Sequence, residues 1–477
     1  MNFTQKATKS AIGAGIDLGL KHAKRNSQDG IKDILNVFGK FYKPTSKDEN
    51  MSGGNAFSGM IKYVDDPDSK WGAYANKILR NVNQKQIKTL LLLGYEAGYK
   101  GLAKVRETSE KYDCNVPWTM IFDPTSACNR HCKGCWSGEY GHKDSLSFEE
   151  MDSIVTQGKA LGTHFYLMTG GEPLVKKDDI VKLARKHTDC IFHPFTNGTL
   201  VDEKFADEML ELGNIILGFS VEGFAETNDF RRGAGSFDTT MKAMDLLKER
   251  KLAFGVSICW TTLNCDTVVS DDFLDLLEDK GALYAWYFNF MPVGQKVTNE
   301  LVPTPQQRKV FMKRLREVRS CKNYHQLFPI DFQGDAEYVG GCIAGGKHFL
   351  HINALGDVEP CVFIHYSTAN IKKDTLLEAL QQPLFMQYRQ RQPFNENMLR
   401  PCPMLENPEI LAEMVANSGA KSTDYELPEE ASHLTEKNIE YAKEWAEVSA
   451  PIWEDIKKKK AERKANDAVE KTVKNRA

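Results

Sequence analysis

The chain has 477 residues, 41% of them hydrophobic and 27% charged, with a formal net charge of −3. This composition supplies a large hydrophobic core, and the near-balanced charge argues against general nucleic-acid binding. No apolar run approaches the roughly 18 residues that span a bilayer, and no secretory signal is visible. Together with unpaired cysteines, this predicts a protein of the reducing cytoplasm.

The N-terminal region, residues 1–115, is predicted to be helical. Residues 44–72 are rich in Lys, Asp, Ser and Gly, which is typical of a linker or long loop. Apolar residues recur at helical spacing after this linker. One stripe of them consists of Ile87, Leu90, Leu91 and Tyr95.

Short apolar runs alternate with helical patterns over the next region, residues 116–300. This alternation predicts βα units and a parallel sheet. We expect an α/β fold, a partial (β/α)6 TIM-like barrel with active residues at the C-terminal ends of its strands. The predicted strands lie near Trp118–Phe122, His164–Met168, Cys190–Phe195, Ile215–Ser220, Ala253–Cys259 and Tyr284–Phe290, with helices between them such as Ser147–Leu161 and Phe237–Lys248.

Three cysteines follow the first predicted strand within eight residues, at Cys128, Cys132 and Cys135. A zinc site usually takes four ligands, and His131, the only nearby addition, stands between two of the cysteines. A disulfide framework is disfavoured because 11 cysteines in 477 residues are sparse and odd in number. Three close thiolates can instead hold three irons of a 4Fe-4S cluster and leave the fourth iron without a protein ligand.

The spacing Cys-x3-Cys-x2-Cys resembles the signature of the radical S-adenosylmethionine (radical SAM) enzymes. In that family the open iron binds the amino and carboxylate groups of SAM, which is cleaved to methionine and a 5′-deoxyadenosyl radical. The resemblance implies that Cys128, Cys132 and Cys135 hold a SAM-binding 4Fe-4S cluster and that hydrogen is removed from an unactivated C–H bond. It also implies a low-potential electron donor of the flavodoxin or ferredoxin type.

Turn motifs at the ends of the following strands fit a SAM site. Gly-Gly-Glu-Pro after the second strand resembles the motif by which the family holds the SAM amino group. A strand-ending turn explains each motif alone, but their joint appearance at successive strand ends indicates a pocket. Arg231 or Arg232 could clamp the SAM carboxylate. The expected SAM-binding residues are Trp136, Gly170, Gly171, Glu172, Pro173, Asn197, Ser220, Glu222, Arg231, Arg232 and Met291.

The cysteine loop departs from the family pattern in one respect. Many members carry an aromatic residue just before the third cysteine, where this chain has Gly134 and places Trp136 one position beyond the cysteine. The departure leaves the cluster unaffected and puts the adenine contact in question. No residue of the core stands out as a general base.

A second cysteine group follows in residues 301–410. Cys342 and Cys361 stand in the pattern Cys-x13-Gly-x4-Cys, which resembles the opening of the SPASM extension or its shortened form, Twitch. Cys402 is the natural third thiolate, and the resemblance implies a small α+β unit with an auxiliary 4Fe-4S cluster. The fourth ligand would come from elsewhere, such as Cys321, or the site would be open. Three buried structural thiols are the alternative.

A small hairpin is predicted between these cysteines, over Phe349–Asn353 and Asp357–Glu359. Residues 411–477 are predicted to form a helical, basic C-terminal tail. A tail of this kind is usually a solvated helix, but it is also compatible with peripheral contact to an anionic inner-membrane surface.

The remaining hypotheses about function differ in the substrate that they assign to the protein. Residues 351–370 and 401–408 resemble the tetraether or membrane-spanning lipid synthases, which implies C–C bond formation between lipid chains. The first alternative is a maturase of a ribosomal peptide or protein, although a compact β-rich recognition unit before the core is not seen. A non-enzymatic iron–sulfur sensor or scaffold is the second alternative, and the Gly-Gly-Glu-Pro turn argues against it because a sensor needs no SAM pocket.

Overall fold

The computed structural model describes residues 3–41, 60–66, 68–137, 143–293 and 299–474. Most of the predicted linker 44–72 therefore lies outside the described residues. None of the described helices is long and apolar enough to cross a membrane.

A mostly parallel sheet forms the centre of the molecule. In the described part of the chain its strand order is β7-β6-β5-β4-β3-β2-β1-β8-β9, and β1 to β7 run parallel to their neighbours. The strands are β1 (Thr119–Phe122), β2 (Phe165–Met168), β3 (Ile191–Thr196), β4 (Leu217–Ser220), β5 (Phe254–Trp260), β6 (Tyr284–Asn289), β7 (Phe328–Asp331), β8 (His351–Ile352) and β9 (Val358–Glu359).

Helices precede the sheet, connect its strands and follow it. The N-terminal helices are α1 (Phe3–Ala23), α2 (Ser27–Phe41), α3 (Lys70–Asn81), α4 (Gln84–Tyr95) and α5 (Leu102–Tyr112). The connecting helices are α6 (Phe148–Leu161), α7 (Lys177–Lys186), α8 (Glu203–Leu212), α9 (Ala225–Arg232), α10 (Ser236–Glu249), α11 (Asp271–Lys280) and α12 (Pro305–Arg319). The later helices are α13 (Ala336–Val339), α14 (Leu376–Leu380), α15 (Pro383–Arg391), α16 (Pro408–Ser418), α17 (Ala431–Glu436) and α18 (Ile439–Lys474).

The βα units follow from local sequence signals, as α6 illustrates. Ser147 caps its first turn in a reciprocal capping box with Glu150, and Gly162 ends it in a left-handed conformation. Its apolar face, including Met151 and Ile154, is buried in the core that also contains the inner strands. The partial barrel and the six predicted strands are therefore confirmed.

Two features of the sheet differ from the sequence expectation. A seventh parallel strand, β7, pairs with β6. The predicted hairpin is present as β8 and β9, but β8 also pairs in parallel with β1. This pairing attaches the hairpin directly to the strand that leads into the cysteine loop.

The long helical pattern of the N-terminal region is interrupted at Asn83. The side chain of Asn83 accepts a hydrogen bond from the Lys85 N–H at 2.9 Å, and its own N–H donates to the Lys251 carbonyl at 2.7 Å. The first bond caps α4, and the second ties the break to the loop before β5. Periodicity alone could not show this break because its cause is partly a long-range contact.

The predicted apolar stripe on α4 is a packing face. Ile87 and Tyr95 are buried, and Leu90 and Leu91 pack against the same cluster. That cluster also contains Ile12, Ile16 and Leu20 of α1 with Ala253 and Leu283 of the barrel. The stripe therefore joins the N-terminal helices to the end of the barrel opposite the strand C-termini.

The C-terminal helix α18 packs on the segment that carries Cys402. The indole N–H of Trp445 donates to the Leu399 carbonyl at 2.8 Å, and Trp445 is fully buried. The Arg308 guanidinium lies 4.2 Å from the Trp445 ring centroid. The start of the predicted tail is thus an integral part of the fold.

Candidate active site

The cysteine loop after β1 lies against the glycine turn after β2. The Gly171 N–H donates to the Thr125 carbonyl at 2.9 Å, and the Glu172 N–H donates to the Ala127 carbonyl at 2.8 Å. A Cβ on Gly171 would overlap the carbonyl oxygens of Ser126 and Ala127. Glycine is therefore needed here because the turn approaches the backbone of the cysteine loop itself.

Glu172 joins the end of β2 to the end of β3. Its Oε1 accepts hydrogen bonds from the Leu174 N–H at 3.0 Å and the Thr196 hydroxyl at 2.7 Å. Its Oε2 accepts one from the Asn197 N–H at 2.8 Å. The residue is 1% exposed, and burial raises the pKa of its carboxyl. A carboxylate has about four acceptor positions, so one remains for a cationic donor such as an ammonium group.

We expect Glu172→Ala to weaken SAM binding by about 1.5–3 kcal/mol, the usual range for a hydrogen bond to a charged group. The measurement is SAM affinity by calorimetry on anaerobic protein, with Ser153→Ala on exposed α6 surface as the control. Iron content should match the wild type in both variants. Unchanged SAM affinity in Glu172→Ala would show that the carboxylate only fastens the two strand ends.

Arg231 and Arg232 are paired with a protein carboxylate. Glu222 Oε1 accepts from Arg231 Nη1 at 2.5 Å and from Arg232 Nε at 2.9 Å. Glu222 is 1% exposed, and its Oε2 has no hydrogen-bond partner. Because one carboxylate pairs with two guanidinium groups, it balances only one of their two positive charges, and the clamp on the SAM carboxylate stays a prediction. Their remaining N–H groups could still reach a bound anion.

The three cysteines share one cavity with most of the expected SAM-binding residues. Burial raises the pKa of Cys128 to about 11 and raises that of Cys132, so these thiols hold their protons near pH 7 until a metal displaces them. Two expected residues, Pro173 and Glu222, do not line the cavity. Pro173 instead starts a 3-10 turn after the glycines. The expected residues that line the cavity are Trp136, Gly170, Gly171, Glu172, Asn197, Ser220, Arg231, Arg232 and Met291.

An aromatic ring stands near the third cysteine, although it comes from another strand. Gly134 has φ +62°, and a Cβ there would lie 2.6 Å from the Phe290 ring. Phe290 follows β6 and lines the same cavity. Trp136 stacks on His365, with ring centroids 6.1 Å apart and 14° between the planes. A contact between Trp136 and SAM stays a prediction, while Phe290 fills the space beside Gly134.

A buried charge network lies beneath the cysteine loop and was not foreseen as a functional feature. His351 Nε2 lies 3.0 Å from Asp123 Oδ1, and His351 Nδ1 lies 2.6 Å from Glu359 Oε2. Asp123 also accepts from the Thr169 hydroxyl at 2.8 Å, directly before the glycine turn. His365 Nδ1 lies 3.2 Å from Glu359 Oε2. The network joins the SAM side of the cavity to the hairpin that leads to Cys361.

We expect His351 to be an imidazolium in the folded protein at neutral pH. Burial alone would lower the pKa of His351, but Asp123 and Glu359 outweigh it and raise it to about 10. The ordinary value is about 6.5. The charge therefore stabilises the fold fully below pH 6.5, and this contribution is lost as the pH rises towards 10.

Histidine-selective 15N NMR checks this expectation, with the His351 signal assigned by its loss in His351→Gln. Both ring nitrogens should carry protons at pH 8. A neutral ring at that pH would contradict the paired-carboxylate interpretation.

The part of the cavity beyond the cysteine loop is mostly apolar, although Ser257 and Asn289 also line the cavity. Among its described lining residues, the charged side chains are Arg130, Glu172, Arg231 and Arg232, all at the SAM end. The alternate residues Trp286 and Phe288 of β6 point to this interior, a pattern of period two that the sequence does display. The aromatic lining consists of Phe195, Trp286, Phe288, Phe332, Phe349 and Phe363.

Cys342, Cys361 and Cys402 line a second, adjoining cavity. All three thiols are free, and burial raises the pKa of Cys342 to about 11. The Tyr388 hydroxyl is buried without a hydrogen-bond partner. Burial, and then the charges of the three thiolates, raise the pKa of Tyr388. Tyr388 does not line this cavity, but a partnerless phenol within electrostatic reach of the three thiols is a candidate hydrogen-bond donor to the sulfur of a bound cluster.

Cys321 does not belong to this group. It follows the C-terminus of α12, and its carbonyl accepts from the Lys70 N–H at 2.9 Å. Cys402, by contrast, lies near the other end of α12. Its N–H and the guanidinium of Arg308, in the first turns of α12, both contact Glu406. The suggestion that Cys321 supplies the fourth auxiliary ligand is therefore wrong.

Both cysteine groups lie within regions that match known protein families. Residues 122–279 match the radical SAM superfamily, and residues 342–404 match the iron–sulfur cluster-binding domain called SPASM. The chain carries a radical SAM domain followed by a SPASM domain. A radical SAM domain holds a 4Fe-4S cluster and SAM, and a SPASM domain holds auxiliary iron–sulfur clusters. The free thiols of each group fit those cofactors.

Similar proteins fall into two activity classes. The Fe-coproporphyrin III synthase of Methanosarcina barkeri is 25% identical over 46% of this chain and 57% of its own length. The AdoMet-dependent heme synthase of Oleidesulfovibrio alaskensis is 24% identical over 62% of this chain and 82% of its own. The mycofactocin maturase MftC of Mycobacterium ulcerans is 28% identical over 59% of this chain and 79% of its own length. The chain thus spans just over half of the first of these proteins.

The fold resembles that of SuiB from Streptococcus suis, solved with its precursor peptide SuiA. The TM-score is 0.54 at 14% identity, covering 66% of this chain and 76% of SuiB. At this identity the likeness concerns the arrangement of the barrel and its extension.

Proposed function

We propose that this enzyme removes hydrogen from unactivated C–H bonds of a hydrocarbon-rich substrate and joins two such carbons, as between lipid chains. The observation that carries the proposal is the apolar cavity beside the cysteine loop. Its aromatic walls favour a hydrocarbon over a charged group, since an unpaired charge there would lose its hydration without compensation. The charged side chains of the described lining stand only at the SAM end.

Cys128, Cys132 and Cys135 are proposed as the ligands of the SAM-binding cluster. When bound, the cluster and SAM supply a radical strong enough to take hydrogen from an unactivated carbon. Glu172 would hold the SAM ammonium, while Asn197 and Ser220 border the same space at the ends of β3 and β4. The aromatic residues would orient the chain and exclude water.

The proposed coupling has a fixed stoichiometry. Joining two saturated carbons removes one hydrogen from each, so two SAM molecules become two methionines and two 5′-deoxyadenosines per C–C bond. Two electrons must enter from a low-potential donor of the flavodoxin or ferredoxin type. The carbons themselves undergo no other net change.

Peptide maturation is the second candidate. Its support is the similarity to the mycofactocin maturase, which covers 79% of that protein. An apolar peptide side chain would also fit the aromatic cavity. The two candidates differ in which deuterated substrate gives its deuterium to 5′-deoxyadenosine.

The proposed function is tested by incubating the reduced enzyme with SAM and chain-deuterated lipids, and separately with deuterated peptides. We expect deuterium in 5′-deoxyadenosine from lipid, with two molecules of the nucleoside per coupled product. Phe288→Asp should abolish this transfer while Phe288→Leu retains it, because only the former places a charge in the cavity. Deuterium from peptide alone would replace the lipid proposal by the second candidate.

Membrane contact by the basic tail is a related expectation. Lys457 pairs with Glu454 at 2.6 Å and Lys459 with Asp455 at 2.7 Å, so part of the positive charge is already compensated. We expect weak sedimentation with anionic vesicles that disappears at high salt, because surface charges are screened within about 8 Å at physiological ionic strength. Neutral vesicles are the control. Protein that stays in the supernatant in every case would remove membrane recruitment from the account.

A further inference from the structure

We infer that Trp286 and Phe195 form the floor of the aromatic cavity and fix how far a hydrocarbon chain can enter it. Trp286 thereby selects the chain length and the carbon that comes opposite the SAM site, counted from the end of the chain. The choice of a hydrocarbon as the occupant rests on the proposed function. The floor itself is a feature of the barrel and is tested without turnover.

The strands of the barrel bring one layer of side chains to the cavity and keep the layer beneath out of it. Ser257 of β5 and Trp286 of β6 are register partners, and both line the cavity. The residues two positions earlier on these strands, Gly255 and Tyr284, do not line it. Side chains two positions apart point to the same face and lie about 7 Å apart along a strand. The cavity therefore ends within one layer below Trp286.

Two aromatic rings meet at this end of the cavity. Phe195 of β3 and Trp286 of β6 are separated in the sheet by β4 and β5, yet their ring centroids are 5.9 Å apart, with 72° between the planes. This edge-to-face contact crosses the interior of the barrel. Gly218 of β4 is the register partner of Phe195, and a Cβ there would overlap the Phe195 ring. Glycine at this position therefore leaves the space that the ring occupies.

A hydrogen-bonded pair supports the two rings from below. The Tyr284 hydroxyl lies 3.2 Å from His193 Nε2, and His193 Nδ1 lies 2.7 Å from the Ile216 carbonyl oxygen. Burial lowers the pKa of His193 to about 4, so its ring is neutral near pH 7. With the proton on Nδ1 and donated to Ile216, Nε2 is left as an acceptor for the Tyr284 hydroxyl. The His193 ring centroid lies 5.0 Å from that of Phe195 and 6.5 Å from that of Trp286.

The lower end of the barrel is closed by α4. Gln86 of this helix is buried, and its side-chain amide accepts from the Ala253 N–H at 2.7 Å and donates to the Ile215 carbonyl at 3.4 Å. These bonds attach the helix to the segments just before β4 and β5. The Tyr284 ring packs against the cluster that α4 forms with the barrel. A chain that enters the cavity therefore meets a closed wall at Trp286.

A closed floor sets the position of a linear substrate. The floor and the expected SAM-binding residues Glu172 and Asn197 line the same cavity. Since the strands hold both, the distance between them is fixed. A chain whose end rests on the floor therefore presents the same carbon to the SAM site whatever its total length. A smaller side chain in place of Trp286 lowers the floor and brings a different carbon to that site.

The test measures the binding of straight-chain alcohols of increasing length to the anaerobically reconstituted full chain, with SAM and without reductant, by calorimetry. Affinity should rise roughly fourfold with each methylene and stop rising once the chain fills the cavity. Trp286→Ala should move this cut-off to chains roughly two to four carbons longer, because the alcohol can fill the space left by the indole. Trp286→Phe should move it in the same direction by less.

Trp453→Ala is the matched control, because it removes an indole from the packing face of α18, outside the barrel. It should keep the wild-type cut-off. Iron content reports the folding of each variant, and Trp286→Phe keeps the inference testable if Trp286→Ala takes up no cluster. A cut-off at the same length in the wild type and in the Trp286 variants overturns the inference. Affinity that rises without a cut-off, or no binding of any alcohol, overturns it as well.

Lipids deuterated at single carbons separate this inference from the proposed function. Trp286→Phe should change which carbon gives its deuterium to 5′-deoxyadenosine. Transfer from an unchanged carbon overturns the role of the floor and leaves the lipid proposal in place. No transfer from any lipid, with the alcohol cut-off still moved by the Trp286 variants, removes the lipid proposal and leaves the floor.

Discussion

Replacing Cys128, Cys132 or Cys135 with alanine is expected to abolish the formation of 5′-deoxyadenosine. Each substitution leaves one iron of the SAM-binding cluster without its thiolate. Among the described residues, one further thiol lines the same cavity, that of Cys259. It lies on β5 and outside the close-spaced loop. Enzymes accelerate reactions about 10⁶-fold or more, so we expect the rate of 5′-deoxyadenosine formation to fall by at least about 10³-fold.

The matched control for these variants is Cys259→Ala, which removes a thiol from the cavity but not from the loop. It should keep the iron content and SAM cleavage of the wild type within about threefold, because no cluster ligand is lost. The nucleoside is quantified by mass spectrometry after anaerobic reconstitution with dithionite. Retained cleavage in any one of the three loop variants would contradict the assignment of that cysteine.

Replacing Cys342 and Cys361 together with alanine is expected to halve the iron content of the reconstituted protein, from about eight to about four irons per chain. SAM cleavage should persist, because the two cysteine groups line separate cavities. Formation of the coupled product should stop. If the thiols hold an auxiliary cluster, SAM cleavage should continue while formation of the coupled product stops. Buried structural thiols would not predict this difference between the two activities.

Cys321→Ala is the control for the second experiment, since Cys321 lies near Lys70 and away from the auxiliary thiols. It should retain about eight irons. A wild type that holds only about four irons would show that Cys342, Cys361 and Cys402 are structural. An equal loss of iron in the Cys321 variant would place this residue in a cluster after all.

The features that the sequence predicts well are local. The six strands appear because short apolar runs and capped helices alternate, and each of these signals acts within a few residues. The cysteine loop and the glycine turn were found as motifs, and the fold brings them together through hydrogen bonds between Gly171 and Thr125 and between Glu172 and Ala127.

The features that sequence reasoning missed depend on contacts between distant segments. The pairing of Glu222 with both arginines needs α9 to return to the end of β4. The His351 network needs the hairpin to lie beside β1. The displacement of Cys321 from the auxiliary site follows from the length of α12, whose two ends lie at opposite ends of the barrel. No spacing along the chain reports these placements.

Production of 5′-deoxyadenosine by the wild-type protein is the most direct test of the account. The anaerobically reconstituted full chain is mixed with SAM and dithionite, and the nucleoside is followed with time. The account predicts continuous formation with an equal amount of methionine, and no formation when either SAM or the reductant is omitted. A protein that carries its full iron content and binds SAM, yet yields neither product, would contradict the assignment of radical SAM chemistry to this site.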